Sequence, residues 1–319
     1  MPWSDNVARI RVPATSANLG PGFDALGLAL ALHDDVDAWI CESGLSIEID
    51  GEGADLNWAG EEHLVIRAMR AAFAATGAQP PGIGLRCVNR IPHGRGLGSS
   101  AAAVVAGLLA ARALSGDGAD KLPADAVLGL ATELEGHPDN VAACLGGGLT
   151  IAWTEAGEPR MVQLEPLASI RPVICVGPAP VRTELARRLL PELVPHRDAA
   201  ANAGRSALLV AALTQPSAGP AALLDATRDW LHQDYRAPAM PETVELVRRL
   251  RAAGIPAVVS GAGPSVLALL TDSERSDYRH HLDSLGSIVR ETGIAWHTSS
   301  LDIERRGARV LRPEPSPGY

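Results

Sequence analysis

Pro92-His93-Gly94-Arg95-Gly96-Leu97-Gly98-Ser99-Ser100 runs without a break into Ala101-Ala102-Ala103-Val104-Val105-Ala106-Gly107-Leu108-Leu109-Ala110-Ala111. Gly94, Gly96 and Gly98 permit positive φ and close backbone approach to a ligand, and Ser99 and Ser100 stand where a long apolar helix begins. The unpaired N–H groups of that first turn and the positive end of the helix dipole converge on the loop, which makes a cradle for an anion such as phosphate. The helix is apolar on nearly every face and too short to span a bilayer, so it reads as a buried support. An ordinary strand-to-helix turn with a serine N-cap uses the same residues, and the loop alone does not separate the two readings.

Composition narrows the chemistry. The chain has 319 residues, enough for one large or two ordinary domains, and with 3% aromatics its cores must be built from Ala, Val, Leu and Ile. A net charge of -9 and the absence of any basic run argue against a nucleic-acid binder. Lys121 is the only lysine, which removes the lysine-dependent P-loop and leaves backbone dipoles, arginine and a metal ion for any phosphate chemistry. Cys41, Cys87, Cys144 and Cys175 are widely spaced and read as reduced thiols. The first residues have neither a basic nor an apolar leader pattern, and a cytoplasmic location is expected.

Upstream, a strand over 7–12 enters a second glycine loop, Pro13-Ala14-Thr15-Ser16-Ala17-Asn18-Leu19-Gly20-Pro21-Gly22-Phe23-Asp24, which turn chemistry alone also explains. Extended pieces at 25–32, 36–41 and 45–49, a helix over 61–76 and a strand over 83–91 lead to the phosphate loop. Downstream, a helix over 123–134 stops at Glu135-Gly136-His137-Pro138-Asp139-Asn140, where capping and a satisfied structural imidazole compete with metal or substrate contact. A strand over 149–154 closes a first domain of residues 1–160. The second domain, 161–303, carries strands at 172–176, 257–260, 266–270 and 294–301. Its helices fall at 183–191, 198–213, 220–230, 241–253 and 273–285. A third glycine loop, Gly261-Ala262-Gly263-Pro264-Ser265, sits in a tight strand-loop-strand that a hairpin also explains. Residues 304–319 read as a disordered tail.

Three glycine loops in this order resemble the GHMP kinases, which act on galactose, homoserine, mevalonate and phosphomevalonate, and the resemblance runs from about residue 9 to 270. The segments 13–24, 137–142, 183–191 and 232–236 resemble the homoserine kinase branch. The resemblance implies an α+β, two-domain GHMP kinase fold, with a ribosomal-protein-like N-terminal domain, a ferredoxin-like C-terminal domain and the active site between them. It also implies an ATP- and Mg2+-dependent transfer of phosphate to the hydroxyl of L-homoserine in threonine biosynthesis. Dimerisation is common in the family.

On the same resemblance, Arg187 and Arg236 would hold the substrate carboxylate, a task suited to the guanidinium fork. Asn18, Asp24, His137 and Asn140 would grip amine, carboxylate and hydroxyl. Glu135, with a hydroxyl from Ser99 or Ser100, would hold Mg2+, a cation that prefers oxygen ligands. The run Pro92, Gly94, Arg95, Gly96, Leu97, Gly98, Ser99, Ser100 and Ala101 would wrap the ATP phosphates, and Gly261, Gly263 and Ser265 would supply the third loop. Asp24 is either a base or a positioning group. His63, where related kinases often carry Asn, either replaces that amide near the base pocket or faces solvent. Another small acidic alcohol as substrate, or a silent nucleotide-binding protein on the same fold, are the competing readings. A dinucleotide-binding dehydrogenase is excluded by the glycine spacing.

Overall fold

The computed structural model describes residues 3–4, 6–55, 60–272 and 275–311. Its strands are β1 (Ala8–Ala17), β2 (Leu26–Cys41), β3 (Gly44–Gly51), β4 (Gly82–Asn89), β5 (Leu149–Glu155), β6 (Glu158–Leu164), β7 (Ile170–Val176), β8 (Ala257–Val259), β9 (Val266–Thr271), β10 (His297–Ser300) and β11 (Arg309–Leu311). The first seven-stranded sheet runs β11-β1-β2-β4-β3, with β5 on β2 and β6 on β5; the second, four-stranded sheet runs β10-β7-β9-β8. The three extended pieces expected over 25–49 become the 16-residue β2 followed by β3. β2 spans two partners: its start pairs with β5 and its end with β4, across a register shift at Pro13/Ala14 of β1.

Helices α1 (Leu64–Thr76), α2 (Ser99–Leu114), α3 (Gly118–Lys121), α4 (Ala124–Glu135) and α5 (Asp139–Gly146) accompany the first sheet. Small residues let α2 lie close to its neighbours: a Cβ on Gly107 would overlap the Val65 carbonyl and come within 2.7 Å of Ala68 Cβ on α1. The second part holds α6 (Thr183–Arg188), α7 (His196–Thr214), α8 (Gly219–Ala226), α9 (Gln233–Arg236), α10 (Pro241–Ala252) and α11 (Arg275–Glu291). Its sheet is buried on both faces by period-two alternation. Ile170, Ile174, Leu267 and Leu269 join the main core with α7 and α8, while Val173, Cys175, Val266 and Ala268 pack with α10 and α11.

Two boundaries differ from the sequence reading. β6 pairs with β5 over its whole length, so the first sheet continues to Leu164 rather than stopping at 160. The expected tail also contains ordered chain: β11 pairs with β1, and residues 301–308 bond back to β2 through Glu304 N to Ala29 O (3.1 Å) and to α5 through Ala308 N to Cys144 O (2.7 Å). Glu304-Arg305-Arg306-Gly307 carries no apolar period, and it is held by these backbone bonds and by glycine-to-glycine approach at Gly147 and Gly307. The remainder of the tail expectation, 312–319, lies outside the described residues.

Candidate active site

The three glycine loops are knit into one frame at the head of α2. Thr15 N donates to Leu97 O (3.0 Å), Gly261 N to Ala17 O (3.1 Å) and Asn18 Nδ2 to Gly261 O (2.8 Å). The Ser260 hydroxyl donates to Gly96 O at 2.7 Å. Gly96 has φ 71°, and a Cβ there would overlap the Ser260 carbonyl, so both conformation and space demand glycine.

Gly98, left-handed at φ 70°, is the N-cap of α2, and no side chain caps the helix. That resolves the alternative of a serine-capped turn: the Ser100 hydroxyl donates instead to Glu135 Oε1 at 2.5 Å. Gly94, Gly96, Gly98, Ser99, Ser100 and Ala101 line a cavity of about 140 Å³. Pro92, Arg95 and Leu97 do not. Leu97 is buried in the core, and Arg95 turns away to donate to Pro178 O (2.8 Å). In the third loop only Gly261 and Ala262 reach the cavity. Gly263 packs against the Met240 sulfur, and the Ser265 hydroxyl is buried without a partner, so these two shape the loop.

Glu135 closes α4, and burial pushes its carboxyl above the usual range against the hydrogen bond from Ser100. No group of three or more metal-binding side chains occurs among the described residues. The pair Glu135 and Ser100 is an all-oxygen donor set beside the anion cradle. Such a set fits a hard cation that keeps water and takes phosphate oxygens.

The segment after Glu135 begins a further helix, α5, beyond the stop expected at 135–140. His137 Nδ1 lies 2.7 Å from Asp139 Oδ1, and this hydrogen bond raises the imidazole pKa against the effect of burial. Asp139, 2% exposed, also accepts from Asn140 N at 2.8 Å. Thr15 Oγ1 donates to Asn140 Oδ1 at 2.7 Å.

Across the cavity, Asp24 and Arg187 form a bidentate pair at 2.7 and 3.0 Å, so two groups separately assigned to substrate meet each other. Asp24 (φ 52°), Asn18 (φ 67°) and Leu19 (φ 49°) are left-handed, a strained turn held by Asn18 Oδ1 accepting from Asp24 N (2.9 Å). Asn202 on α7 braces the turn by donating to Pro21 O (2.8 Å).

Arg236 is 1% exposed and pairs with no carboxylate among the described residues. Its Nη1 reaches His232 Nδ1 (3.2 Å) and Gly261 O (3.4 Å), its Nε has no hydrogen-bond partner, and it lies 5.3 Å from the Phe23 ring centroid. Burial first, and then Arg187, bring its pKa down to about 10. His232 Nε2 lies 2.8 Å from Gly20 O, and burial keeps the ring neutral, so it donates there and accepts from Arg236. Phe23, Thr15, Asp139 and His232 were not assigned from sequence. The His232/Arg236 spacing of four residues on one helical turn was the available signal.

A second, more apolar cavity of about 220 Å³ adjoins the first and shares Gly94, Ser99 and Ser100 with it. His63 lines it and is 6% exposed, which excludes the solvent-facing alternative; burial lowers its pKa.

Two family models match, GHMP kinases N terminal domain over residues 63–148 and GHMP kinases C terminal over residues 208–287. The chain is 56% identical to the homoserine kinase of Streptomyces avermitilis over 95% of both chains, and 56% identical to that of Streptomyces coelicolor over 95% of this chain and 94% of the relative. The crystal structure of homoserine kinase from Cytophaga hutchinsonii superposes with a TM-score of 0.80 at 26% identity, covering 97% of this chain and 98% of the other. The loop frame, the anion cradle and this similarity along nearly the whole length agree: the chain belongs to the GHMP kinases, within the homoserine kinase family.

Proposed function

We propose that the chain is a homoserine O-kinase (EC 2.7.1.39), transferring the γ-phosphoryl group of ATP to the hydroxyl of L-homoserine and serving threonine biosynthesis in the cytoplasm. ATP as co-substrate follows from membership of a kinase family. The observation that carries the substrate is the charge pattern beside the cradle: a buried guanidinium, Arg236, in direct contact with no carboxylate among the described residues, next to the Asp24–Arg187 pair. An amino-acid zwitterion complements it, its carboxylate answering Arg236 and Arg187 and its ammonium answering Asp24. A mevalonate-type acid lacks the ammonium and would make no use of Asp24 beyond its pairing with Arg187.

The backbone from Gly94 to Ala101 receives the phosphates, and the apolar cavity at His63 takes the base. Glu135 and the hydroxyl of Ser99 or Ser100 would hold Mg2+, which supplies charge neutralisation at the phosphates. His137 and Asn140 stand at the cavity wall to bind the homoserine hydroxyl and the phosphoryl oxygens, and in-line placement is what this reaction chiefly requires. Both Asp24 oxygens are engaged by Arg187, which supports a positioning role for Asp24 over that of a base. Mass spectrometry of a reaction with ATP, Mg2+ and L-homoserine tests the reading. The expected products are ADP and O-phospho-L-homoserine, and ADP formed without a phosphorylated amino acid would refute it.

A further inference from the structure

Thr15 is fully buried beneath the phosphate loop, near the end of β1, and does not line the cavity. It touches the site at two points. Its amide donates to Leu97 O at 3.0 Å, fixing the loop, and its hydroxyl donates to Asn140 Oδ1 at 2.7 Å. Gly98 leaves room for this contact: a Cβ there would overlap Thr15 Oγ1 and come within 3.1 Å of Asn140 Oδ1. An asparagine amide can present either a carbonyl acceptor or two N–H donors. With the oxygen tied to Thr15, the donor end of Asn140 is left for the cavity.

We propose that Thr15 is a positioning residue for phosphoryl transfer, whose hydroxyl holds the Asn140 amide with its NH2 group toward the reacting oxygens. The inference rests on the kinase reading above. Negative charge on the transferring phosphoryl group and the attacking oxygen is stabilised by preorganised donors. A flipped amide would set a carbonyl oxygen against them. The backbone bond to Leu97 does not depend on the side chain, so replacing the hydroxyl with a methyl isolates the amide orientation from the loop.

The test is steady-state kinetics of the full-length protein with ATP, Mg2+ and L-homoserine for Thr15→Val, Thr15→Ser, Asn140→Ala, Asn140→Asp and Thr15→Val/Asn140→Ala, with melting temperatures alongside. Thr15→Val is expected to lower kcat by about 10- to 100-fold with KM for ATP within about twofold, the range for outer-shell partners of catalytic groups. Thr15→Ser keeps the hydroxyl and should return kcat to within about threefold of wild type. In the Asn140→Ala background, Thr15→Val should cost less than about twofold further. Asn140→Asp, which offers no N–H, should fall at least as far as Asn140→Ala; a higher kcat for the aspartate overturns the proposal even if Thr15→Val does not fold. Wild-type kcat in Thr15→Val, equal loss in Thr15→Ser, or an undiminished loss in the Asn140→Ala background also overturns it. A wild-type protein without homoserine turnover refutes the kinase reading and this proposal with it. A competent wild type with an unimpaired Thr15→Val refutes the proposal alone.

Discussion

Replacing Arg236 with Met separates what this side chain does for the fold from what it does for the substrate. In the free protein the guanidinium is 1% exposed and unpaired with any carboxylate among the described residues, and the fall of its pKa to about 10 corresponds to a cost of about 3 kcal/mol. The sign is that of a depressed cation: the folded state binds the proton less tightly than the unfolded state, so the cost is present at all pH below about 10. Against it stand two long hydrogen bonds, to His232 and Gly261, and the contact with Phe23, each contributing about 1 kcal/mol. The two sides nearly cancel, so Arg236→Met should melt within about 3 °C of wild type. Substrate binding has no such compensation. Losing a buried partner for the carboxylate costs about 2–5 kcal/mol, so KM for homoserine should rise by about 30-fold or more while KM for ATP stays near its starting value. Calorimetry and an ADP-release assay on the same preparation read both quantities. A fall in stability of more than about 3 kcal/mol, with homoserine KM unchanged within about threefold, would make Arg236 a structural residue and refute the reasoning.

Asp24→Asn should keep measurable turnover while raising homoserine KM, because a neutral amide still fits the turn but no longer answers the ammonium; loss of nearly all turnover with unchanged homoserine binding would mark Asp24 as the base. Thiol titration near pH 8 should leave Cys87 and Cys175 unreacted until denaturant is added, since burial pushes them up to about 12 and about 11, and buried Cys144 should behave likewise. Melting temperature should fall as pH drops below about 6.5: His63 and His232 are held neutral by burial, so the unfolded chain binds those protons more tightly, whereas the stabilisation that His137 gains from Asp139 is already complete below that pH and is lost only as pH rises. His63→Gln should flatten that slope.

Local signals carried most of the frame. The Gly94, Gly96, Gly98 spacing and the small-residue helix behind it fixed the cradle, and α2 begins at Ser99 as read. What local pattern does not contain is which groups meet. Asp24 and Arg187, 163 positions apart, each read as a substrate ligand, and only the packing of α6 over the loop at 13–24 joins them. Arg95 and Leu97 lie within the motif yet point out of the cavity, because glycines at alternate positions redirect the backbone between them. β6 and β11 were missed for a common reason: both are short edge segments held by strand pairing rather than by an apolar period of their own.

The most direct measurement is Mg2+-dependent ADP release by the purified protein, comparing L-homoserine with L-serine, L-threonine, mevalonate and 4-hydroxybutanoate. Robust turnover is expected on homoserine and little on the others. 4-Hydroxybutanoate should fail because it supplies the carboxylate and hydroxyl but leaves Asp24 without an ammonium. Equal turnover on 4-hydroxybutanoate or mevalonate would contradict a site built for a zwitterion, and nucleotide binding with no turnover on any of the five would contradict the kinase itself.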